Sequence, residues 1–320
     1  MKTSNHLLRR LTAALLAAVL ALSIALPVFA SDDGDTIYIN SVSDLLSLAG
    51  SCAYDQWSVG KTVILQKDLS LEGMLWEPIP SFSGQFKGNG HTISDLTITG
   101  QYSPAGLFGI VEEQGSIESL SVRGVVSVSD SADTTTGGIA GVNHGTLISC
   151  QFTGVVTGDS EVGGIVGRNE SEGTIDHSTA RAIVTGKSST GGIAGYNLGA
   201  ITGCTNVGSI NTEYPEASLD TDGFTAKMVD YINNKMAAAD DDATNSVTNV
   251  ATDTGGIAGR SSGMILTSVN TGTIGYEHVG YNVGGIVGRT DGLVSGCVNQ
   301  GRVLGRKDVG GIAGQAEPYR

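Results

Sequence analysis

The sequence predicts an all-β protein, a right-handed parallel β-helix with a helical cap at its N-terminal end and one helical insertion. Two observations favour this fold class. The 320-residue chain holds 47 glycines, and most of them recur at regular spacing from Gly100 onward. The apolar segments between them have two to four residues, too few for helices. With 40% hydrophobic residues the chain can bury a core, which argues against disorder.

Residues 1–30 are predicted to be a signal peptide. Three basic residues precede the apolar run Leu11–Leu26, and the small residues of Val28-Phe29-Ala30 allow cleavage after Ala30. The run is about 16 residues long. A membrane span needs roughly 20, so an uncleaved anchor is the weaker alternative. No later segment is apolar for long enough to span a membrane, and we expect a secreted or cell-surface protein.

The charge limits the partners. Loss of the signal peptide would change the formal net charge from −14 to −17. An acidic chain without a basic stripe is a poor ligand for nucleic acid or anionic lipid. The acidity is typical of a soluble surface with many exposed strands.

Residues 31–59 are predicted to be the N-terminal cap. A short helix is expected over Ser43–Cys52, with Leu45 and Leu48 on its apolar face and Ser41 or Ser43 as its N-cap. Such a helix would cover the open end of the coil, whose backbone edge otherwise invites aggregation.

Residues 60–320 are predicted to form the coil, whose first, less regular strands are expected at 62–65 and 92–98. A pentad Gly-Gly-Ile-[Ala/Val]-Gly occurs six times, at Gly137–Gly141, Gly163–Gly167, Gly191–Gly195, Gly255–Gly259, Gly284–Gly288 and Gly310–Gly314. The starts are separated by 26, 28, 64, 29 and 26 residues. We expect Gly and Asn to supply positive-φ corners between short strands. A β-propeller is the less favoured alternative, because its blades need roughly 40–45 residues.

Stacked turns place like residues in columns. One column is expected to form an aliphatic ladder in the interior: Ile139, Ile165, Ile193, Ile257, Ile286 and Ile312. The right-handed sense follows from the preference of parallel crossovers.

The 64-residue spacing contains an insertion at about 213–250. Phe224, Met228, Ile232 and Met236 recur every four residues, which predicts an amphipathic helix. The helix either packs on the coil or docks a partner.

The last pentad ends six residues before Arg320, with no polar capping repeat after it. We expect the C-terminal end to be truncated, with Ile312 on an uncovered end and further sequence beyond.

The pentads and the Gly-x-Ile-x-x-Cys segments after them resemble GLUG-motif repeats of exported bacterial proteins, and the stretch Phe82–Ile93 is similar to the segment that leads into such repeats. The resemblance covers roughly 60–212 and 251–320. It implies a right-handed β-helix, secreted or on the cell surface, as in adhesin-like proteins and beside the protease domain of IgA-specific metallopeptidases. It brings no catalytic residue.

Nucleophile signals are weak. Gly259–Gly263 matches G-x-S-x-G, but Ser261 holds the repeat position of Asn143, Asn197 and Thr290. The catalytic elbow also needs a strand-to-helix turn. Ser261 is therefore expected to be a corner residue.

No metal or cofactor is expected. The chain has no H-E-x-x-H motif, and Asp32, Asp33, Asp35 and Asp240–Asp242 lack the spacing of a calcium loop. Solvated charge accounts for them.

The cysteines are expected to be free. Cys150, Cys204 and Cys297 hold one repeat position, and Cys150 and Cys204 lie two turns apart, roughly 9.6 Å at the strand spacing. A disulfide needs Cα atoms within about 7 Å. Cys52 has no obvious mate.

Arg168, Arg260 and Arg289 share an outer column and have no acidic partners at regular offsets. The glycan-cleaving version of this fold is therefore not supported, although an acid pair contributed by loops stays open.

These observations favour an extracellular or cell-surface scaffold or adhesin-type binding module, non-catalytic in this segment, with an unknown protein or glycan ligand. One alternative is a polysaccharide-active lyase or hydrolase. Another is the non-catalytic N-terminal region of a larger surface metalloprotease. The oligomeric state stays open.

Ile193→Asp is expected to abolish folding, because it buries an unpaired charge in the aliphatic ladder, where each Ile contributes roughly 1.5–3 kcal/mol. Ser261→Ala is expected to be nearly silent. Thermal denaturation of both variants tests the ladder, and equal melting temperatures would contradict it.

Overall fold

The structure is a computed structural model that describes residues 35–54, 56–128, 134–212 and 251–318. It is an all-β parallel solenoid of about eight turns with one short helix, and the chain from Thr36 onward forms one compact unit. The predicted signal peptide, the predicted insertion helix and the Asp240–Asp242 run lie outside the described residues.

Four parallel sheets run along the coil, and the first two hold nine strands each. Sheet A consists of β1 (Thr36–Ile39), β2 (Thr62–Leu65), β5 (Gln85–Lys87), β8 (Ser116–Glu118), β12 (Thr146–Ile148), β16 (Thr174–Asp176), β20 (Ala200–Thr202), β25 (Met264–Leu266) and β29 (Leu293–Ser295). Sheet B consists of β3 (Leu69–Ser70), β6 (Thr92–Gly100), β9 (Ser121–Val128), β13 (Gln151–Thr157), β17 (Thr179–Thr185), β21 (Thr205–Asn206), β22 (Ser209–Ile210), β26 (Val269–Asn270) and β30 (Val298–Asn299).

The other two sheets complete each turn. Sheet C consists of β4 (Ile79–Phe82), β7 (Phe108–Val111), β11 (Ala140–Asn143), β15 (Val166–Asn169), β19 (Ala194–Asn197), β24 (Ala258–Ser261), β28 (Val287–Thr290) and β32 (Ala313–Ala316). Sheet D consists of β10 (Thr136–Gly137), β14 (Ser160–Gly163), β18 (Ser188–Gly191), β23 (Thr252–Gly255), β27 (Tyr281–Gly284) and β31 (Lys307–Gly310). A regular turn visits the sheets in the order C, A, B, D.

The strand register reproduces the pentad spacing. Ala140 pairs with Val166, 26 residues later. Ala194 pairs with Ala258, 64 residues later, so the long spacing is still a single turn. The insertion therefore leaves the coil after β22 and returns in register at β23, as the repeat offsets predict.

The predicted aliphatic ladder is confirmed. The side chains of its first five members are fully buried, whereas Ile312, in the last described turn, is 44% exposed. The early turns hold buried aromatic residues instead. The rings of Phe82 and Phe86 lie 5.3 and 5.5 Å from that of Phe108.

The pentad glycines do not have the role that was expected of them. None of them has a positive φ. A Cβ at Gly163 would collide with the carbonyl oxygen of Val166, and one at Gly164 with that of Gly192 in the next turn. At Gly167 a Cβ would strike the sheet D backbone of the preceding turn. Backbone segments therefore approach each other more closely than any side chain allows, and this close approach is what requires glycine.

Most of the left-handed corners are formed by other residue types, with φ between 45° and 65°. Ser, Asp and Asn, which tolerate this conformation, hold many of them. One column of left-handed residues lies between sheets A and B and consists of Ser119, Ser149, His177, Gly203, Thr267 and Gly296. A second column lies within sheet D and consists of Glu161, Ser189, Asp253, Asn282 and Asp308.

The helix α1 (Val42–Ser51) begins one residue before the prediction. Ser41 is its N-cap, and the side chain of Ser41 accepts a hydrogen bond from the Asp44 backbone N–H. Leu45 and Leu48 are buried as predicted, and the helix packs against β1 and β4.

Gly164→Ala is expected to lower the free energy of unfolding by about 1–3 kcal/mol, because the added methyl meets backbone that cannot move without breaking the stack. Gly50→Ala is the matched control. Gly50 lies in α1 with open space around its Cα, so alanine should stabilise the protein by about 0.5–1 kcal/mol. Urea denaturation measures both, and equal effects would contradict the close-approach explanation.

Candidate binding surface

Ser261 belongs to a buried hydrogen-bond ladder at the end of sheet C. In this ladder each Asn side chain donates through Nδ2 to the next turn: Asn143 to Asn169 at 2.8 Å, Asn169 to Asn197 at 2.8 Å, and Asn197 to the Ser261 Oγ at 3.1 Å. All four side chains are fully buried. The Ser261 hydroxyl is thus an internal hydrogen-bond acceptor. Ser261 ends β24 and is followed by β25, so the strand-to-helix turn of a catalytic elbow is not formed here.

This geometry corrects the expectation that Ser261→Ala is silent. The alanine variant removes an acceptor from a buried amide, which costs about 1 kcal/mol. Asn197 keeps hydrogen bonds to the carbonyls of Gly199 and Met264, so the loss stays well below that of Ile193→Asp.

Sequence reasoning missed the ladders. A second one, in sheet B, joins Asn206 to Asn270 at 2.7 Å and Asn270 to Asn299 at 2.8 Å. The sequence does contain a signal for them, because asparagine recurs at a constant repeat offset. The same pattern also suits a corner residue, which is the role predicted for these positions.

The cysteines are free, as predicted. Cys150, Ser178 and Cys204 occupy successive turns, where the Cys150 backbone N–H donates to the Ser178 hydroxyl at 3.1 Å and the Ser178 N–H donates to the Cys204 Sγ at 3.4 Å. Burial raises the pKa of both thiols to about 12. It also raises the pKa of Cys52 to about 11. These thiols are structural residues and poor nucleophiles at neutral pH.

The predicted arginine column exists on the outer face of sheet C, with Tyr196 inserted between Arg168 and Arg260. Arg168 lies one turn before Tyr196 and Arg260 one turn after it, and their guanidinium groups are 5.0 and 5.2 Å from the centroid of the Tyr196 ring. Cation–π contacts of this kind contribute about 0.5–1 kcal/mol each at exposed sites.

Two of these arginines have acidic partners in the structure, although the partners do not recur at one regular offset along the chain. Arg168 forms ion pairs with Glu161 at 2.7 Å and Glu170 at 2.6 Å, and Arg289 pairs with Glu317. Partial burial lowers the pKa of Arg168, but its two carboxylates more than offset this and the net shift is upward. The charges of Arg168 and Arg289 are therefore balanced locally, and the Arg289–Glu317 pair links two successive turns.

The structure bears on a metal site and on a membrane span only within the described ranges, 35–54, 56–128, 134–212 and 251–318. No group of three His, Cys, Asp or Glu side chains there lies close enough together to hold a metal ion. No helix in those ranges has the length and hydropathy needed to cross a membrane.

Turn length varies most between sheets B and D. From β8 onward, the connections from sheet A to sheet B and from sheet D to sheet C have two residues in every described turn. Between sheets B and D the connection has two residues after β13 and after β17, but the chain makes the insertion after β22. Long loops therefore gather along this one edge, which we call the B–D edge.

A groove of about 360 Å³ lies at the N-terminal end of the B–D edge. We call it the proline groove, and its lining consists of Glu77, Pro78, Pro80, Gln101, Tyr102, Ser103, Pro104 and Gly109. Nothing in the sequence repeats pointed to it.

The fold and this surface define a parallel β-solenoid with a rigid coil and one loop-bearing edge. No family model matches the chain. Halomucin from Haloquadratum walsbyi is 32% identical over 155 residues, covering 44% of this chain and 2% of halomucin. A protein from Evansella cellulosilytica, provisionally named a Gly-rich membrane protein, is 29% identical over 137 residues, covering 31% of this chain and 16% of that protein. The aligned segments are thus small parts of both relatives.

A solved structure has the same fold. It is a protein from Bacteroides ovatus, provisionally named an immunoglobulin A1 protease, with a TM-score of 0.57 and 18% identity. The match covers 90% of this chain and 86% of that one. At this identity the likeness concerns the fold alone.

The thiols allow a direct test. In native protein at pH 8, a thiol of pKa about 12 is about one part in ten thousand thiolate, so Cys150 and Cys204 should resist iodoacetamide. Cys297 is partly exposed and should react first, and Cys297→Ser should remove that early labelling. In denaturant without reductant, all four thiols should titrate. Fewer than four would reveal a disulfide and contradict the column geometry.

Proposed function

We propose that this chain is an extracellular or cell-surface β-helical scaffold of the adhesin type, non-catalytic in this segment, which presents binding loops along the B–D edge. The observation that carries the proposal is that the interior of the coil repeats from one regular turn to the next, whereas one of its edges varies. The inward asparagine side chains bond to their neighbours in the stack, whereas loop length varies mainly at one edge. Rigid elements that support variable loops are the usual arrangement for binding.

The chemistry of the side chains supports a non-catalytic role. The Ser261 hydroxyl is fully buried and bonded to Asn197. The thiols of Cys150 and Cys204 have raised pKa values, and Arg168 and Arg289 are paired with carboxylates. Each of these groups has a structural explanation, so none is needed as a nucleophile or an acid.

Export is supported by the signal-peptide pattern of residues 1–30 and by the acidic composition. The names of two relatives, halomucin and a Gly-rich membrane protein, fit a role at the cell surface. The alignments cover 44% and 31% of this chain, and the support extends to those segments alone.

Three finer points belong to the same proposal. The coil is right-handed, which is the sense that parallel crossovers favour. The helix α1 caps its N-terminal end, a role favoured by the burial of Leu45 and Leu48 and by packing against β1 and β4. The repeats are of the GLUG type, as the pentads and their cysteine-bearing followers suggest.

The full chain, produced in a bacterial host, should reach the medium or the cell surface and begin at Ser31. A Leu15→Arg control, which interrupts the apolar run, should keep it inside the cell. N-terminal sequencing of the exported and retained protein measures both. Export that Leu15→Arg leaves intact would contradict the signal peptide.

The exported protein should leave neutral and acidic polysaccharides intact, with or without calcium. A reducing-end assay over several hours measures this, because each cleaved glycosidic bond exposes one new end. New ends, or unsaturated products absorbing in the ultraviolet, would overturn the scaffold proposal in favour of a polysaccharide-active enzyme.

A further inference from the structure

The proline groove exists because the first turns of the coil omit a strand. The chain passes from Trp76, aligned with sheet B, to β4 of sheet C through only Glu77 and Pro78. Among the described residues, the first to pair with sheet D is Ala105, which bridges to Thr136. In the described part of the chain no strand of sheet D packs beside Gly109, whereas β10 of sheet D lies against Gly167 in a later turn.

Hydrogen bonds hold the chain segments that flank the groove on both sides. On one side, the Trp76 indole N–H and the Ile79 backbone N–H both donate to the Leu107 carbonyl, at 3.2 and 3.0 Å. On the other side, the Ala105 N–H donates to the Thr135 carbonyl at 2.9 Å. A ligand would therefore meet a preorganised shape, which lowers the entropy cost of binding.

The surface of the groove combines apolar rings with a few polar side chains. Tyr102 is half-buried and packs against the core, so its ring is held in place. The same lining includes three prolines, Pro78, Pro80 and Pro104. The exposed carboxylate of Glu77 and amide of Gln101 lie at the rim, and together they offer two kinds of acceptor and one donor.

These groups select among ligand classes. A polyanion is disfavoured by Glu77 and by the formal net charge of −14. An added β-strand is disfavoured because Pro104, at the open edge of sheet D, has no N–H to donate. Proline-rich peptides bind grooves lined by several aromatic rings, and Tyr102 is the one aromatic side chain among the described residues that line this groove.

A pyranose ring fits the groups that remain. Its axial C–H bonds are attracted to the electron-rich face of an aromatic ring, and its hydroxyls pair with carboxylate and amide groups. The volume of about 360 Å³ falls in the roughly 300–1,000 Å³ range of small-ligand sites.

We propose that the proline groove binds a pyranose ring of a neutral polysaccharide, with Tyr102 as the stacking surface and Glu77 and Gln101 as the hydrogen-bonding groups. This inference rests on the proposed scaffold function and names the ligand class for one of its sites. It needs no catalytic group and leaves the polymer intact.

Affinity electrophoresis of the full exported chain tests the proposal. Native gels would contain dextran, mannan, galactan or xylan as neutral probes and polygalacturonate as the acidic probe. At least one neutral polymer should retard the protein. Tyr102→Ala should weaken that retardation about tenfold, the equivalent of one lost aromatic contact. Gln101→Ala and Glu77→Gln, both at exposed positions, should each weaken it a few-fold without changing the melting temperature.

Tyr54→Ala is the matched control, because Tyr54 is 75% exposed and lies outside the groove. It should bind like the unmodified chain. Retardation by no neutral polymer, by polygalacturonate alone or equally in Tyr102→Ala would overturn the groove proposal. If Tyr102→Ala fails to fold, the two rim variants decide the question. Binding of a proline-rich peptide that Tyr102→Ala abolishes, without binding of any neutral polymer, would also overturn it.

The outcomes separate the groove from the scaffold. Loss of neutral-polymer binding with intact export and intact polymers would refute the groove proposal and leave the scaffold proposal standing. New reducing ends in the same samples would refute the scaffold itself.

Discussion

In-register parallel stacking is the constraint on which the rest of this structure depends. Each strand bonds to its counterpart one turn away, and neighbouring strands lie about 4.8 Å apart. Every inward side chain therefore touches the side chain at the same position in the next turn. A residue type is tolerated inside the coil only if it packs against or bonds to the residues above and below it in its column. Isoleucine meets this condition by burying apolar surface, and asparagine meets it because its amide is both donor and acceptor.

The asparagine ladders show how the constraint treats polar groups. Each internal amide donates to the next turn and accepts from the previous one, so burial leaves few unsatisfied atoms. The ladder in sheet C has an imperfect beginning, because Val111 occupies the preceding turn and the Asn143 Oδ1 has no partner among the described residues. Ser261 replaces the amide at the other end and accepts the last hydrogen bond. In the described ladders an unsatisfied polar atom therefore occurs only at an end. Because the number of ends is fixed, the free-energy cost per ladder residue decreases as turns are added.

The same logic separates what the sequence predicts well from what it misses. A repeat offset states which residues share a column, and for this reason the register, the isoleucine ladder and the free Cys150 and Cys204 follow from spacing alone. It does not state why a residue type occupies its column. Glycine serves both positive-φ corners and close backbone approach, and only the collision of a Cβ at Gly163 or Gly164 with a carbonyl distinguishes the two. The proline groove is harder still, because it arises where the first described turns of the coil lack a strand of sheet D.

Stacking also determines where binding specificity can change. An inward substitution disturbs two neighbouring turns, and a change at the pentad disturbs the backbone of sheet D as well. The connection between sheets B and D is different, because its length does not enter the register. The pairing of Gly191 with Gly255 across the insertion shows this, since the coil continues in register as if no residue had been added. A scaffold of this kind can therefore acquire new loops along the B–D edge without loss of its core. The proline groove lies at the beginning of that edge, where hydrogen-bonded segments on both sides already provide a rigid surface.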